Sequence, residues 1–322
     1  MIYSRIAGTG RYLPDRILTN ADLEKIVDTT DEWIISRTGI EQRHAANEDE
    51  FTSDLCVNAA RNAMESAALS PSDIDMLFVG TTTPDLIFPN IATIIQHKLG
   101  IPALPCYAIE AACSGFVYAL SSADKFIRCG EAKKVLVIGA EIITRLVDWE
   151  DRNTCVLFGD GAGAVILEAS SNPGVLSTHL GADGQYQKLL YYPVGASTNL
   201  AAAGTADASI MMSGNDVFKV AVRTLSEIAK EALNTNKLSL EDLDWFIPHQ
   251  ANLRIIQAAA KKLNMPMEKV IQTVQIHGNT SAASIPMAFD VGVRDGRIKR
   301  GQLVLFDAFG GGFTWGAVLL RY

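Results

Sequence analysis

The sequence has no uninterrupted apolar run of the roughly 18 residues needed to cross a bilayer, and its first residues, MIYSRIAGTGRYLPDRILTNADLEKIV, have no continuous apolar segment. The expectation is a soluble, cytoplasmic chain with neither signal peptide nor membrane span. The five cysteines (Cys56, Cys106, Cys113, Cys129 and Cys155) are odd in number, scattered, and form no CxxC pair. That pattern excludes a disulfide framework and a zinc site, and no metal is expected. No block of like charge occurs and the net charge is −8, so nucleic acid is not an expected partner. The glycine cluster FGDGAGAV (Phe158–Val165) runs into a strand, not a helix, so it is not a dinucleotide fingerprint.

What is present is a long, 48% hydrophobic chain of 322 residues, enough for a large core in one or two domains. Short apolar runs read as buried strands: Met76–Thr82, Lys134–Ile142, Ala164–Ser170, Asp244–Gln250 and Leu303–Phe309. Helical stretches alternate with them: Ser53–Ala68, Asn90–Leu99, Phe116–Cys129, Val217–Leu233, Leu253–Leu263 and Ala282–Val293. The alternation predicts a layered α/β fold.

The chain also repeats itself. LSPSDIDMLFVG (Leu69–Gly80) aligns with LSLEDLDWFIPH (Leu238–His249), IRCGEAKKVLVIGA (Ile127–Ala140) with VRDGRIKRGQLVLFDA (Val293–Ala308), and AGAVIL (Ala162–Leu167) with WGAVLL (Trp315–Leu320). Three matches in order predict a duplication, with halves 1–171 and 172–322 packed as one compact unit. Carrying the Gly130-to-Gly296 shift back to Cys113 makes Asn279 its expected counterpart.

Cys113 follows the strand-like CYAIEA and opens a helix. A helix N-terminus offers free N–H groups and a positive dipole end, both of which favour a nucleophilic thiolate. Ala112 and Gly115 leave the sulfur uncrowded, although a small core cysteine with Ser114 as an N-cap fits the same letters. His249 stands at a strand-to-helix turn, where catalytic groups of α/β folds gather. Asn279 stands in a third such turn, VQIHGNTSAAS, as a catalytic amide or a turn residue, with His277 a rival for the histidine role. AFGGGFTWG (Ala308–Gly316) is a glycine-rich bend between two strands. It is either a tight turn or a place where a backbone N–H joins that of Cys113 in an oxyanion hole.

Taken together, ACSGF, PHQAN, HGNTSAASIP, FGGGFTWG, TTDEWIISRTGIEQRH (Thr29–His44) and DRNTCVLFGDGAGA resemble the β-ketoacyl-acyl-carrier-protein synthase III family of thiolase-like condensing enzymes. The resemblance spans nearly the whole chain. It implies a duplicated, five-layered α/β/α/β/α sandwich and a Cys-His-Asn triad on Cys113, His249 and Asn279. It further implies an oxyanion hole from Cys113 and Gly311. Trp33 and Arg152 would hold the adenine of coenzyme A, with Arg37 nearby. Thr29, Gly214, Phe218, Ala251 and Asn252 would line the pantetheine tunnel. Phe88 would enter the acyl pocket of a dimer partner. Gln250, Arg254, Lys219, Lys261 and Lys262 would receive the acidic carrier protein.

The implied reaction initiates fatty acid biosynthesis. An acyl-CoA primer, acetyl-CoA by preference, acylates Cys113 and then condenses with malonyl-acyl-carrier protein, as CO2 leaves, to give a 3-ketoacyl product. No cofactor beyond these substrates is expected. Alternatives are a condensing enzyme of polyketide or quinolone type on the same scaffold, a Cys-His-Asn thioester hydrolase, or a non-catalytic subunit.

Overall fold

The computed structural model describes residues 2–203, 205 and 208–322. Its two large sheets have strands from separate parts of the chain. The first comprises β1 (Tyr3–Tyr12), β2 (Met76–Gly80), β3 (Cys106–Ile109), β4 (Lys134–Glu141) and β5 (Gly161–Ser170), in the order β1-β5-β4-β2-β3. The second comprises β6 (Val175–Ala182), β7 (Trp245–Pro248), β8 (Leu303–Gly310) and β9 (Thr314–Arg321), in the order β6-β9-β8-β7. The pairings correspond strand by strand. β1–β5 and β6–β9 are antiparallel, as are β4–β5 and β8–β9, whereas β2–β4 and β7–β8 are parallel. The counterpart of β3 is reduced to one parallel bridge, Phe246 to Val270.

Strand alternation builds three apolar layers. Leu77, Val79, Leu136 and Ile138 face α2 (Thr52–Ser66) and α3 (Ile91–Leu99). Met76, Phe78, Val135 and Val137 face the other way and meet Val304, Phe306 and Val318 of the second sheet around α4 (Gly115–Arg128) and α7 (Ser284–Arg294). Leu303, Leu305, Ala317 and Leu319 turn outward against α5 (Gly214–Thr235) and α6 (Leu253–Lys262). The result is helix, sheet, paired helices, sheet, helix: the five-layered sandwich that the resemblance implied, in keeping with the repeat. Its strands are continuously apolar because both faces are covered. The expected strands and helices fall within a few residues of those observed, but β1 and β6 had no apolar run long enough to announce them.

The repeat is visible as hydrogen bonds. Ser70 N–H donates to Asp73 and Ser239 N–H to Asp242; Asp75 accepts from Lys134 N–H and Asp244 from Leu303 N–H, at 2.7–2.9 Å. Buried Asp124 in α4 accepts from Arg128, and buried Asp290 in α7 accepts from Arg294. The two central helices are nonetheless unequal. Each begins with a 3-10 turn, Ala112–Ser114 and Ser281–Ala283, whose first residue is left-handed (Ala112 φ +46°, Ser281 φ +49°). α7 ends three residues sooner. Shifts taken from the helix ends therefore mislead at the helix starts, and the counterpart of Cys113 is Ala282, not Asn279. Nor does a strand precede Asn279: Val274–His277 is a helical turn.

Candidate active site

Cys113 is 8% exposed, in the 3-10 turn that opens α4. Ser114 does not cap that helix. Its hydroxyl donates to the Thr314 carbonyl at 3.0 Å, and the Thr314 hydroxyl donates to the Ala111 carbonyl at 2.9 Å, tying the turn to the glycine bend. A Cβ on Gly310 would stand 2.7 Å from the Cys113 nitrogen, so only glycine allows this approach. The neighbouring Gly311 lines a cavity with Cys113, and its N–H, the N–H of Cys113 and the Ser281 hydroxyl pull the thiol down. Burial outweighs them and pushes it up to about 12. This corrects the expectation of a ready thiolate: the helix start supplies donors, but burial outweighs them and favours the protonated sulfur.

His249 follows β7, and its N–H donates to the Asp307 carbonyl at 2.8 Å. Its Nδ1 lies 2.7 Å from the Ser284 hydroxyl at the start of α7. That oxygen already accepts from the Gln250 N–H at 3.3 Å, so its own hydrogen is free for Nδ1. With the Ser284 hydroxyl as the donor to Nδ1, the imidazole proton stands on Nε2. Burial lowers the imidazole to about 3, so it is neutral at physiological pH.

Asn279 is held by backbone bonds, its N–H to the Leu157 carbonyl at 2.8 Å and its carbonyl accepting from Gly159 N–H at 3.1 Å. Its Oδ1 accepts from Ser281 N–H at 2.9 Å, which leaves the Nδ2 hydrogens free. The site thus pairs one thiol with two neutral N–H donors.

These three residues line one cavity of about 570 Å³, with Trp33, Arg37, Arg152, Gly214, Phe218, Ala251, Asn252 and Arg254 along its length. Of the expected tunnel residues only Thr29 is outside that lining; its hydroxyl is buried without a partner. The Arg152 guanidinium lies 5.2 Å from the centre of the Trp33 ring, and Arg37 lies 5.6 Å from it. A flat base between Trp33 and Arg152 needs roughly 7 Å, so the pair must part to admit one. A second cavity of about 1020 Å³ meets the first at Cys113, Phe158 and Leu190 and continues past Ile143, Leu146 and Ile210.

Other expected residues lie apart. Phe88 is 83% exposed in an apolar surface loop with Leu86 and Ile87, outside both cavities. His277 is buried, lowered to about 3, and lines neither cavity, so it drops out as a rival to His249. Arg254, Lys219, Lys261 and Lys262 are exposed. Gln250 corrects the docking set: it is 1% exposed, donates to the Pro248 and Ile271 carbonyls and accepts from Thr273 N–H, so no carrier can reach it. Sequence reasoning missed Ser281, Ser284 and Glu141. The serines stood inside a quoted motif, and Glu141 was legible only as a lone acid ending an apolar strand.

Two like-built sheets, with a cysteine at one central helix start and neutral donors brought from the other half, define a thiolase-like condensing enzyme. The comparisons narrow the class. Two family models match, 3-oxoacyl-[acyl-carrier-protein] synthase III over residues 107–184 and its C-terminal model over 233–322. The β-ketoacyl-[acyl-carrier-protein] synthase III of Xanthomonas campestris is 59% identical over 321 residues, covering 100% of this chain and 99% of its own. That of Thiobacillus denitrificans is also 59% identical, over 100% of both. The crystal structure of the Aquifex aeolicus synthase III superposes with a TM-score of 0.93 at 49% identity, over 99% of this chain and 100% of its own. The chain belongs to the β-ketoacyl-acyl-carrier-protein synthase III family.

Proposed function

We propose that the protein carries out the decarboxylative condensation of a short acyl-CoA, acetyl-CoA by preference, with malonyl-acyl-carrier protein, the step that initiates fatty acid synthesis. One observation carries the reading: a buried cysteine and two neutral N–H donors share a cavity whose outer part holds Trp33, Arg37, Arg152 and Arg254.

In the first half-reaction the Cys113 sulfur attacks the thioester carbonyl. The oxyanion sits between the N–H groups of Cys113 and Gly311. The C–S bond to coenzyme A breaks, and the thiol's proton ends on the departing sulfur. In the second, the malonyl C–CO2 bond breaks and its electrons pass into an enolate. Its oxygen accepts from His249 Nε2–H and Asn279 Nδ2–H, and neutral donors suit a site that must not protonate the carbanion. The enolate carbon then attacks the acyl-cysteine and the sulfur leaves. The reaction closes with these substrates alone.

Arg254, which lines the mouth, together with Lys219, Lys261 and Lys262, offers an acidic carrier a cationic rim on an acidic protein. The second cavity is larger than an acetyl group requires, and Leu86–Phe88 of a second copy is the segment suited to fill it in a homodimer. The same cavity favours a second reading, a larger primer. The priming β-ketosynthase of the R1128 polyketide pathway superposes with a TM-score of 0.94 at 36% identity, covering 99% of this chain and 96% of its own.

Intact mass after incubation with acetyl-CoA tests the proposal. One acetyl group should be gained, lost in Cys113→Ala and discharged by malonyl-carrier protein. Failure of every acyl-CoA to acylate Cys113 would overturn it, and competition among acyl-CoAs decides between the primers.

A further inference from the structure

Glu141, the last residue of β4, is fully buried and takes no part in the reaction as described. Its carboxylate accepts from the hydroxyls of Thr81, Thr82 and Thr83, the Thr82 N–H and the Ser281 hydroxyl, at 2.6–3.3 Å. None of these donors is a cation. The threonines end at Glu141, whereas Ser281 also lines the cavity that Cys113 lines, and its hydroxyl is the strongest of the groups that pull the thiol down. Ser281 has one hydroxyl hydrogen. While Glu141 is a carboxylate, that hydrogen belongs to it, at 3.3 Å. When Glu141 is protonated it becomes a donor itself, and the Ser281 hydrogen is free for the sulfur.

We propose that Glu141 is a positioning residue for the acylation step: through the Ser281 hydroxyl it limits the Glu141–Cys113 pair to one negative charge, so that Cys113 becomes a thiolate when Glu141 holds the proton. The transfer balances. The S–H bond breaks as Ser281 gains that hydrogen and passes its own to a Glu141 oxygen, and the net charge is unchanged. After attack on the thioester, the proton returns by the same hydroxyl towards the departing sulfur.

The surroundings agree. Burial raises Glu141 to about 7, and its charge is among the influences that push Cys113 up. β2 is followed by Thr81–Thr83, the turn before α4 presents Cys113, and the turn before α7 presents Ser281. On the α2 side stands Cys56, which burial holds well above its ordinary value, with Asp85 beyond it bonded to Ser53. His249, lowered to about 3, does not titrate in this range.

The inference rests on the condensing-enzyme reading, but its test needs no acyl-CoA. The rate of Cys113 alkylation by iodoacetamide is measured in the intact protein from about pH 5.5 to about pH 9.5, with Cys113→Ala as the blank. Two coupled acids predict a rate that rises roughly tenfold per pH unit below about 7 and then levels. In Glu141→Gln the rise should continue, exceeding the wild-type rate by roughly tenfold one unit above the bend. Glu141→Asp, which keeps a carboxylate, should keep a bend. A single unbent slope in the wild-type protein overturns the proposal even if Glu141→Gln does not fold. A bend that survives in Glu141→Gln also overturns it, as does one that vanishes in His249→Ala. Failure of every acyl-CoA to acylate Cys113 alongside a bent profile would sink the condensing reading and leave the charge pair standing.

Discussion

The two central helix starts are built alike and used differently. Both follow a left-handed residue and a 3-10 turn, and each packs against a strand glycine of the other half, Gly310 beside Cys113 and Gly139 beside Ala282. At the first, the turn carries Cys113, whose thiol the N–H groups of Cys113 and Gly311 pull down against burial. At the second, the equivalent position is Ala282, whose carbonyl packs against Gly139 with no room for a Cβ between them. Chemistry moved to either side of it: Asn279 before, Ser281 within the turn, Ser284 behind His249. A duplication supplies two equivalent helix N-termini, but one nucleophile is enough. In the proposed reaction the second half supplies the neutral donors that hold the substrate oxygen.

That division can be broken from either side. Removing a donor should have the largest effect on the second half-reaction. His249→Ala or Asn279→Ala should lower condensation by about 10²–10³-fold while acylation by acetyl-CoA changes by only a few fold. Single-turnover rates of the two half-reactions read this directly, and equal losses in both would merge the roles assigned to the halves.

Ser284→Ala should come next, with condensation down about tenfold, because His249 loses the partner that fixes its tautomer. A sharper pH dependence of condensation would accompany it. Arg254→Glu should slow discharge by malonyl-carrier protein several-fold, more strongly at low salt, and leave acylation by acetyl-CoA nearly unchanged. Equal effects on both would remove the docking role.

The smallest effect concerns stability. Asp307, in β8 of the second half, is buried with neither carboxyl oxygen partnered, and burial raises it well above its ordinary range. The folded chain therefore binds a proton there that the unfolded chain releases above about pH 4. Its contribution is fully present below that pH, and stability falls as pH rises towards the folded value. Asp307→Asn is neutral in both states. Its thermal midpoint should match wild type near about pH 4 and gain on it steadily by about pH 8. Parallel curves would show that the carboxyl is ionised or solvated after all.

Much of this was legible in the letters. Strands covered on both faces must be apolar throughout, so β2, β4, β5, β7 and β8 announced themselves, as did the helices between them. The repeat L-S-x-x-D-I/L-D was visible because each residue does the same work twice: serine and first aspartate close a turn, and the last aspartate holds the neighbouring strand. Cys113, His249 and Asn279 could be singled out because reactive side chains stood at breaks between elements.

Other features could not be read. A three-residue difference in helix length leaves no mark on a hydrophobic pattern, so the counterpart of Cys113 was misplaced. Gln250 looked like a surface residue beside the site, but the backbone around it offered donors and acceptors that turned it inward. The sequence by itself determined the layered architecture, the duplication and the candidate nucleophile, because these depend on local period and residue type. Only the tertiary structure decided the burial of Cys113, the Ser284 partner of His249 and the reach of Glu141 to Ser281. Those depend on burial and on which single hydrogen each hydroxyl can give, quantities that exist only once distant segments meet.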